Sequence, residues 1–85
     1  MNKQDIDTVR LYLPYGLRVR VAETARVCKV TVDRALRAPK TDGYAAERHR
    51  MLRQLAIEAG AYVRTAEGYF TASEYIEKIN QTTQQ

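Results

Sequence analysis

Cysteine, histidine, glycine and proline are all scarce in this 85-residue chain, and each scarcity removes a class of protein. A single cysteine, Cys28, rules out an intrachain disulfide framework. The single histidine, His49, has no second His, Asp or Cys at ligand spacing, so no metal site is expected. Paired carboxylates on one helix face and a Gly-rich phosphate loop are missing too, so the chain offers no catalytic residues and reads as a non-enzyme. Four Gly and two Pro set it apart from collagenous and low-complexity sequences. No apolar run approaches the roughly 18 residues of a membrane span. The opening Met-Asn-Lys-Gln-Asp leads into no signal core, so a cytoplasmic protein without membrane contact is expected. A chain this short folds as one domain and buries only about 60–65% of its unfolded surface, which disfavours a large cavity for a cofactor or small-molecule effector.

What the chain does have is positive charge, unevenly placed. Residues 1–9 carry one Lys and two Asp, a balance of −1. From Arg10 to Arg64, twelve Lys and Arg stand against five Asp and Glu, +7, and residues 65–85 hold one Lys and three Glu, −2. The sum is the formal net charge of +4, concentrated in the middle of the chain. That distribution suits an anionic partner such as nucleic acid, although a solvated basic face would look the same.

Apolar spacing divides the chain into elements. Residues 1–16 form an N-terminal extension whose Ile6, Val9 and Leu13 keep helical spacing, while Val9, Leu11 and Leu13 alternate as in a strand; Pro14 and Tyr15-Gly16 end it in either case. From Leu17, the residues Leu17, Val21 and Ala25, with Ala22, mark one face of a first helix reaching Arg26. A second helix runs from about Lys29 to Ala38, with Val32, Ala35 and Leu36 inward and Lys29, Val30, Asp33, Arg34 and Arg37 opposite. Pro39 stops it, and Lys40-Thr41-Asp42-Gly43 supplies a turn. A third helix spans about Ala45 to Ala59, with Met51, Leu52, Leu55, Ala56 and Ala59 inward, Arg48, Arg50, Arg53 and Glu58 outward, and Gly60 as its stop. Tyr62-Val63-Arg64 and Tyr69-Phe70-Thr71 around Ala66-Glu67-Gly68 read as a small hairpin. Thr71-Ala72-Ser73-Glu74 then forms a capping box for a short last helix through Tyr75, Ile76 and Ile79. The expected fold is mainly α: a three-helix helix-turn-helix core over residues 17–60, a C-terminal hairpin and helix over 61–80 and a disordered polar tail over 81–85.

The run Val21-Ala22-Glu23-Thr24-Ala25-Arg26-Val27-Cys28-Lys29-Val30-Thr31-Val32-Asp33-Arg34-Ala35-Leu36 resembles the DNA-binding headpiece of the lactose-repressor (LacI) family, whose pattern is V-A-x-x-A-G-V-S-x-x-T-V-S-R-x-L. Val21, Ala22, Ala25, Val27, Thr31, Val32, Arg34 and Leu36 stand in place, and Lys29 occupies a variable base-reading slot. A weaker likeness continues through the third helix, so the resemblance covers about 45 residues; the family's ligand-binding core has no counterpart. The chain departs from the pattern at Arg26, where the family has a turn Gly, at Cys28 in place of a capping Ser, and at Asp33 in place of another Ser.

The resemblance implies a sequence-specific double-stranded DNA-binding protein, a transcription regulator with the second helix in the major groove. It implies that Lys29, Val30 and Arg34 meet base edges, with Lys and Arg suited to guanine and Val to a thymine methyl. Thr31, Arg37 and Lys40 would contact backbone phosphate. A homodimer on a palindromic site is expected, with the C-terminal hairpin and helix as the dimer element. Two other jobs suit the same pattern: an accessory factor of a phage or mobile element that bends DNA, and a helix-turn-helix adaptor that binds protein. Several residues also have plainer readings. Arg34 could pair with Asp33 or a neighbouring helix, Arg48 and Arg50 could serve solubility, and Cys28 is a small residue or, at a helix start near Lys29 and Arg26, a redox-sensitive thiol. Tyr62, Tyr69, Phe70 and Tyr75 lie in an acidic segment, which favours a satellite core or a protein interface over stacking on bases.

Overall fold

A computed structural model describes Ile6 and residues 8–83, with side chains through residue 79. The elements follow in the order α1 (Tyr15–Ala25), α2 (Lys29–Arg37), α3 (Gly43–Glu58), β1 (Tyr62–Thr65), β2 (Gly68–Thr71) and α4 (Ala72–Thr83). The chain is thus mainly helical with one small antiparallel hairpin. No described helix is long and apolar enough to cross a membrane. Residues 81–83, expected in a disordered tail, continue α4, while 84–85 and the opening Met-Asn-Lys-Gln-Asp lie outside the described residues.

The strand-like alternation wins over the helical one in the N-terminal segment. Val9, Leu11 and Leu13 are buried, Arg10 between them is exposed, and Tyr12 forms an isolated antiparallel bridge with Tyr62. Tyr12 N–H donates to Tyr62 O at 2.8 Å and Tyr62 N–H returns to Tyr12 O at 2.9 Å. This segment is therefore joined by a single bridge to β1 of the two-stranded β1–β2 hairpin, whose register pairs Tyr62 with Thr71 and Thr65 with Gly68. It also supplies three members of the core. Val9, Leu11 and Leu13 cluster with Val21 and Ala22 of α1, Val32, Ala35 and Leu36 of α2, Leu52 and Ala56 of α3, and Ala61 and Val63. α4 packs on the hairpin and starts with a reciprocal capping box: Thr71 N–H donates to Glu74 Oε1 at 3.0 Å and Glu74 N–H to Thr71 Oγ1 at 3.2 Å.

The third helix corrects the apolar pattern. Met51, expected inward, is 48% exposed, and Arg53, expected outward, is 3% exposed. The buried stripe is Ala46, His49, Leu52, Arg53 and Ala56, rotated by roughly a quarter turn from the stripe that apolar spacing selects. The rotation follows from the hydrogen bonds that Arg53 makes. Its Nη1 donates to the carbonyls of Ala35 (2.9 Å) and Leu36 (3.2 Å), and its Nη2 to those of Ile6 (2.7 Å) and Val9. Ala35 and Leu36 belong to the last turn of α2, where carbonyls lack intrahelical partners and the helix dipole is negative. A planar guanidinium serves the two groups of acceptors from two separate nitrogens, whereas an ammonium has its three donors on one.

His49 is the second polar group in this stripe, 6% exposed. Its Nδ1 accepts the Lys40 backbone N–H at 2.9 Å and so holds the connection between α2 and α3. Burial, reinforced by the positive charges of Lys40, Arg48, Arg34 and Arg53, pushes the imidazole below its ordinary 6.5 and keeps it neutral.

Two outcomes test these roles. Arg53→Met should destabilise the chain by about 3–5 kcal/mol in urea unfolding, since buried carbonyls lose their donor; Arg53→Lys should recover only a part. A cost below about 1 kcal/mol for Arg53→Met would remove the residue from this role. For His49, the unfolded chain takes up a proton near pH 6.5 while the folded chain resists it, so stability is full above about 6.5 and falls as the pH drops toward the depressed folded value. Unfolding between about pH 7.5 and 5.5 should show this slope, and His49→Asn, which keeps an acceptor but does not titrate, should flatten it.

Candidate nucleic-acid interface

α1 and α2 are joined by the three residues Arg26, Val27 and Cys28, and the way α1 ends sets how α2 begins. Val27 N–H reaches back to Ala22 O at 3.0 Å and Arg26 N–H to Glu23 O at 3.3 Å, the bond pair of a Schellman motif with Arg26 in the left-handed region at φ 60°, ψ 47°. α3 ends in the same way, with Ala61 N–H on Ala56 O at 2.9 Å, Gly60 N–H on Ile57 O at 3.1 Å and Gly60 at φ 101°. One motif is thus built twice, once on Gly and once on Arg. Arg26 is the one non-glycine residue with positive φ among the described residues. An L side chain is strained in this region, so Arg26 carries strain that glycine at the same φ would not. Val27, half-buried, packs against the core and anchors the turn from below.

α2 starts at Lys29 with Cys28 as its N-cap. The Cys28 carbonyl accepts from Thr31 N–H (3.0 Å) and Val32 N–H (3.3 Å), but its side chain makes no capping bond. Val32, Ala35 and Leu36 are buried and hold the helix to α1 and α3. Val30 is 60% exposed, and Arg34 and Arg37 are exposed on the side away from the core. Thr31 is half-buried, and Lys40, past the helix end, has an exposed side chain.

Asp33 is where the electrostatics of this face are settled. It does not pair with Arg34. Its Oδ1 accepts from Arg18 Nη1 of α1 at 2.9 Å and its Oδ2 from Lys29 Nζ at 2.9 Å, one turn earlier on α2. The Lys29 hydrogen bond, then that of Arg18, hold the carboxyl below its ordinary value of 3.8 against the opposing effect of burial. A carboxylate that would repel phosphate is in this way matched by two cations, and the pair with Arg18 ties α2 to α1. Lys29 also lies over the Tyr15 ring, 5.1 Å from its centroid, with the Arg18 guanidinium 5.6 Å from the same centroid. Lys29 is therefore partly committed within the protein, whereas Arg34 and Arg37 form no salt bridge among the described residues.

Next to this face lies a cleft of about 270 Å³ between the N-terminal segment, α1, α2 and β1. Arg10, Tyr12, Arg18, Asp33, Arg37 and Tyr62 line it. Arg10, Tyr12 and Arg18 were not legible as neighbours of α2 in the sequence, because the Tyr12–Tyr62 bridge and the Arg18–Asp33 pair join distant segments, which no local spacing announces. Cys28 is exposed and unpaired, and no cluster of metal-ligating residues occurs among the described residues.

Arg26→Gly should relieve the left-handed strain and stabilise the chain by about 1 kcal/mol, a rise of roughly 4–8 °C in Tm for a domain of this size. Thermal unfolding followed by circular dichroism measures it, and an unchanged Tm would mean that the Arg26 side chain compensates its own strain. Comparison with protein-family models, with curated proteins and with solved structures finds no match for this chain.

Proposed function

We propose that the chain is a sequence-specific binder of double-stranded DNA that acts as a transcription regulator, with α2 as the helix that enters the major groove. The observation that carries this reading is the two-sided build of α2: Val32, Ala35 and Leu36 buried on one side, and Val30, Arg34 and Arg37 presented on the other beside a carboxylate already matched by two cations. α1, joined by three residues, would brace it as the first helix of a helix-turn-helix. In this reading Val30 meets a thymine methyl and Arg34 forks onto guanine O6 and N7. Lys29 holds Asp33 with one of its three donors and turns the others to the groove, while Thr31, Arg37 and Lys40 take phosphate. Two copies on a palindromic site, joined through the hairpin and α4, would double the contact surface.

The test is selection of duplexes from a random pool, followed by titration of the enriched duplex. Arg34→Ala should weaken binding by about 1–3 kcal/mol and relax preference at one base pair, while Arg48→Ala on α3 changes little. Equal effects of the two substitutions would refute the placement of α2. Absence of duplex binding at low salt would refute the function itself, because phosphate contacts are strongest there.

A further inference from the structure

One face of the small sheet is built from alternating tyrosine and arginine that the functional reading so far leaves unused. Side chains alternate across a strand, so Tyr62 and Arg64 of β1 share a face, with Tyr69 of β2 directly opposite Arg64. The bridge to Tyr12 extends this face into the N-terminal segment. The rings of Tyr12 and Tyr62 stack at 5.7 Å and 17°, and Tyr69 meets Tyr62 edge to face at 5.3 Å and 83°. Arg10 lies 4.8 Å from the Tyr12 centroid, and Arg64 lies 5.9 Å from that of Tyr69. Arg10 and Arg64 are exposed and Tyr69 is 61% exposed. The opposite side is apolar and already covered: Val63 is buried and Phe70 lies under Lys78 of α4.

We propose that this Tyr–Arg face is a second DNA contact, which takes backbone phosphates of the same duplex beside the groove entered by α2; it rests on the reading of α2 given above. Three observations carry it. The face is continuous with α2, because Arg10, Tyr12 and Tyr62 line the same cleft as Arg37. Its charge is positive, and the hairpin-turn carboxylate Glu67 is paired with Lys78 at 3.1 Å. Its rings are engaged with one another and with guanidinium groups, and each ring brings a hydroxyl to the face. Hydroxyls and guanidinium forks suit phosphate oxygens, whereas unpaired bases need open ring faces.

The experiment compares the unaltered chain with the double variant Arg10→Gln/Arg64→Gln on the duplex most enriched from a random pool, by fluorescence anisotropy across a salt series. The variant should lose about 0.9 in the slope of log K against log salt for each phosphate contact removed, close to two in all. Its affinity at moderate salt should fall roughly tenfold or more, with base preference retained. Arg10→Lys/Arg64→Lys should keep most of the slope, and an unchanged Tm in the Gln variant shows that folding is intact. An unchanged slope in the Gln variant, with Arg34→Ala still losing base preference, overturns the sheet contact and leaves the reading of α2 standing. Absence of duplex binding by the unaltered chain overturns both. Tighter binding of single strands, lost in Tyr69→Ala, would assign the face to unpaired bases and overturn the phosphate contact.

Discussion

One guanidinium ties together three parts of the chain: the N-terminal segment, the last turn of α2 and α3. Arg53 leaves α3 and donates to carbonyls at both ends of its reach, Ile6 and Val9 on one side and Ala35 and Leu36 on the other. A buried cation is costly unless its hydrogen bonds are met, and here the acceptors are four backbone carbonyls. The solution serves both partners: the last turn of α2 gains a positive charge where its dipole is negative, and Arg53 gains a polar cage. Nearby, Leu11 N–H donates to Leu36 O at 2.8 Å, so the N-terminal segment is fixed to the same helix end.

From that junction the positions of the other elements follow. With the N-terminal segment held at the end of α2, Leu11 and Leu13 drop into the core, and Tyr12 falls beside Tyr62 to extend the hairpin. α2 is then gripped at its C-terminal turn by Arg53 and at its middle by the Arg18–Asp33 pair. His49 fixes the connection that leaves it through the Lys40 N–H.

The cost of this arrangement is carried at the turn between α1 and α2. Arg26 adopts a left-handed conformation that Gly60 adopts without strain at the corresponding end of α3. The cap at Cys28 is bare on its side-chain side. These two weak points sit together at the start of α2, and what offsets them is packing, since Val27 and the buried face of α2 rest on the core. Local preference and tertiary packing disagree here, and packing prevails.

Much of the helical layout was legible from local chemistry. The i, i+3, i+4 set Val32, Ala35 and Leu36, the stops at Pro39 and Gly60 and the Thr71–Glu74 capping box depend on neighbours a few residues apart, and such interactions are written in spacing. The hairpin was visible for the same reason, as was the exposed set Val30, Arg34 and Arg37. What spacing could not supply was any contact between distant segments. Polarity alone put Arg53 outside and Met51 inside, because the acceptors that make Arg53 a core residue lie 17 to 47 positions away. The choice of strand over helix for residues 9–13 likewise waited on Tyr62, and the pairing of Asp33 with Arg18 waited on α1 packing beside α2. By itself, then, the sequence determined which segments are helical and which way α2 faces, since periodicity and turn residues act locally. Only the tertiary structure decided the rotation of α3, the bridge of Tyr12 to Tyr62 and the company that Asp33 and Lys29 keep, because each depends on a hydrogen bond or ion pair whose partners meet only when the chain is folded.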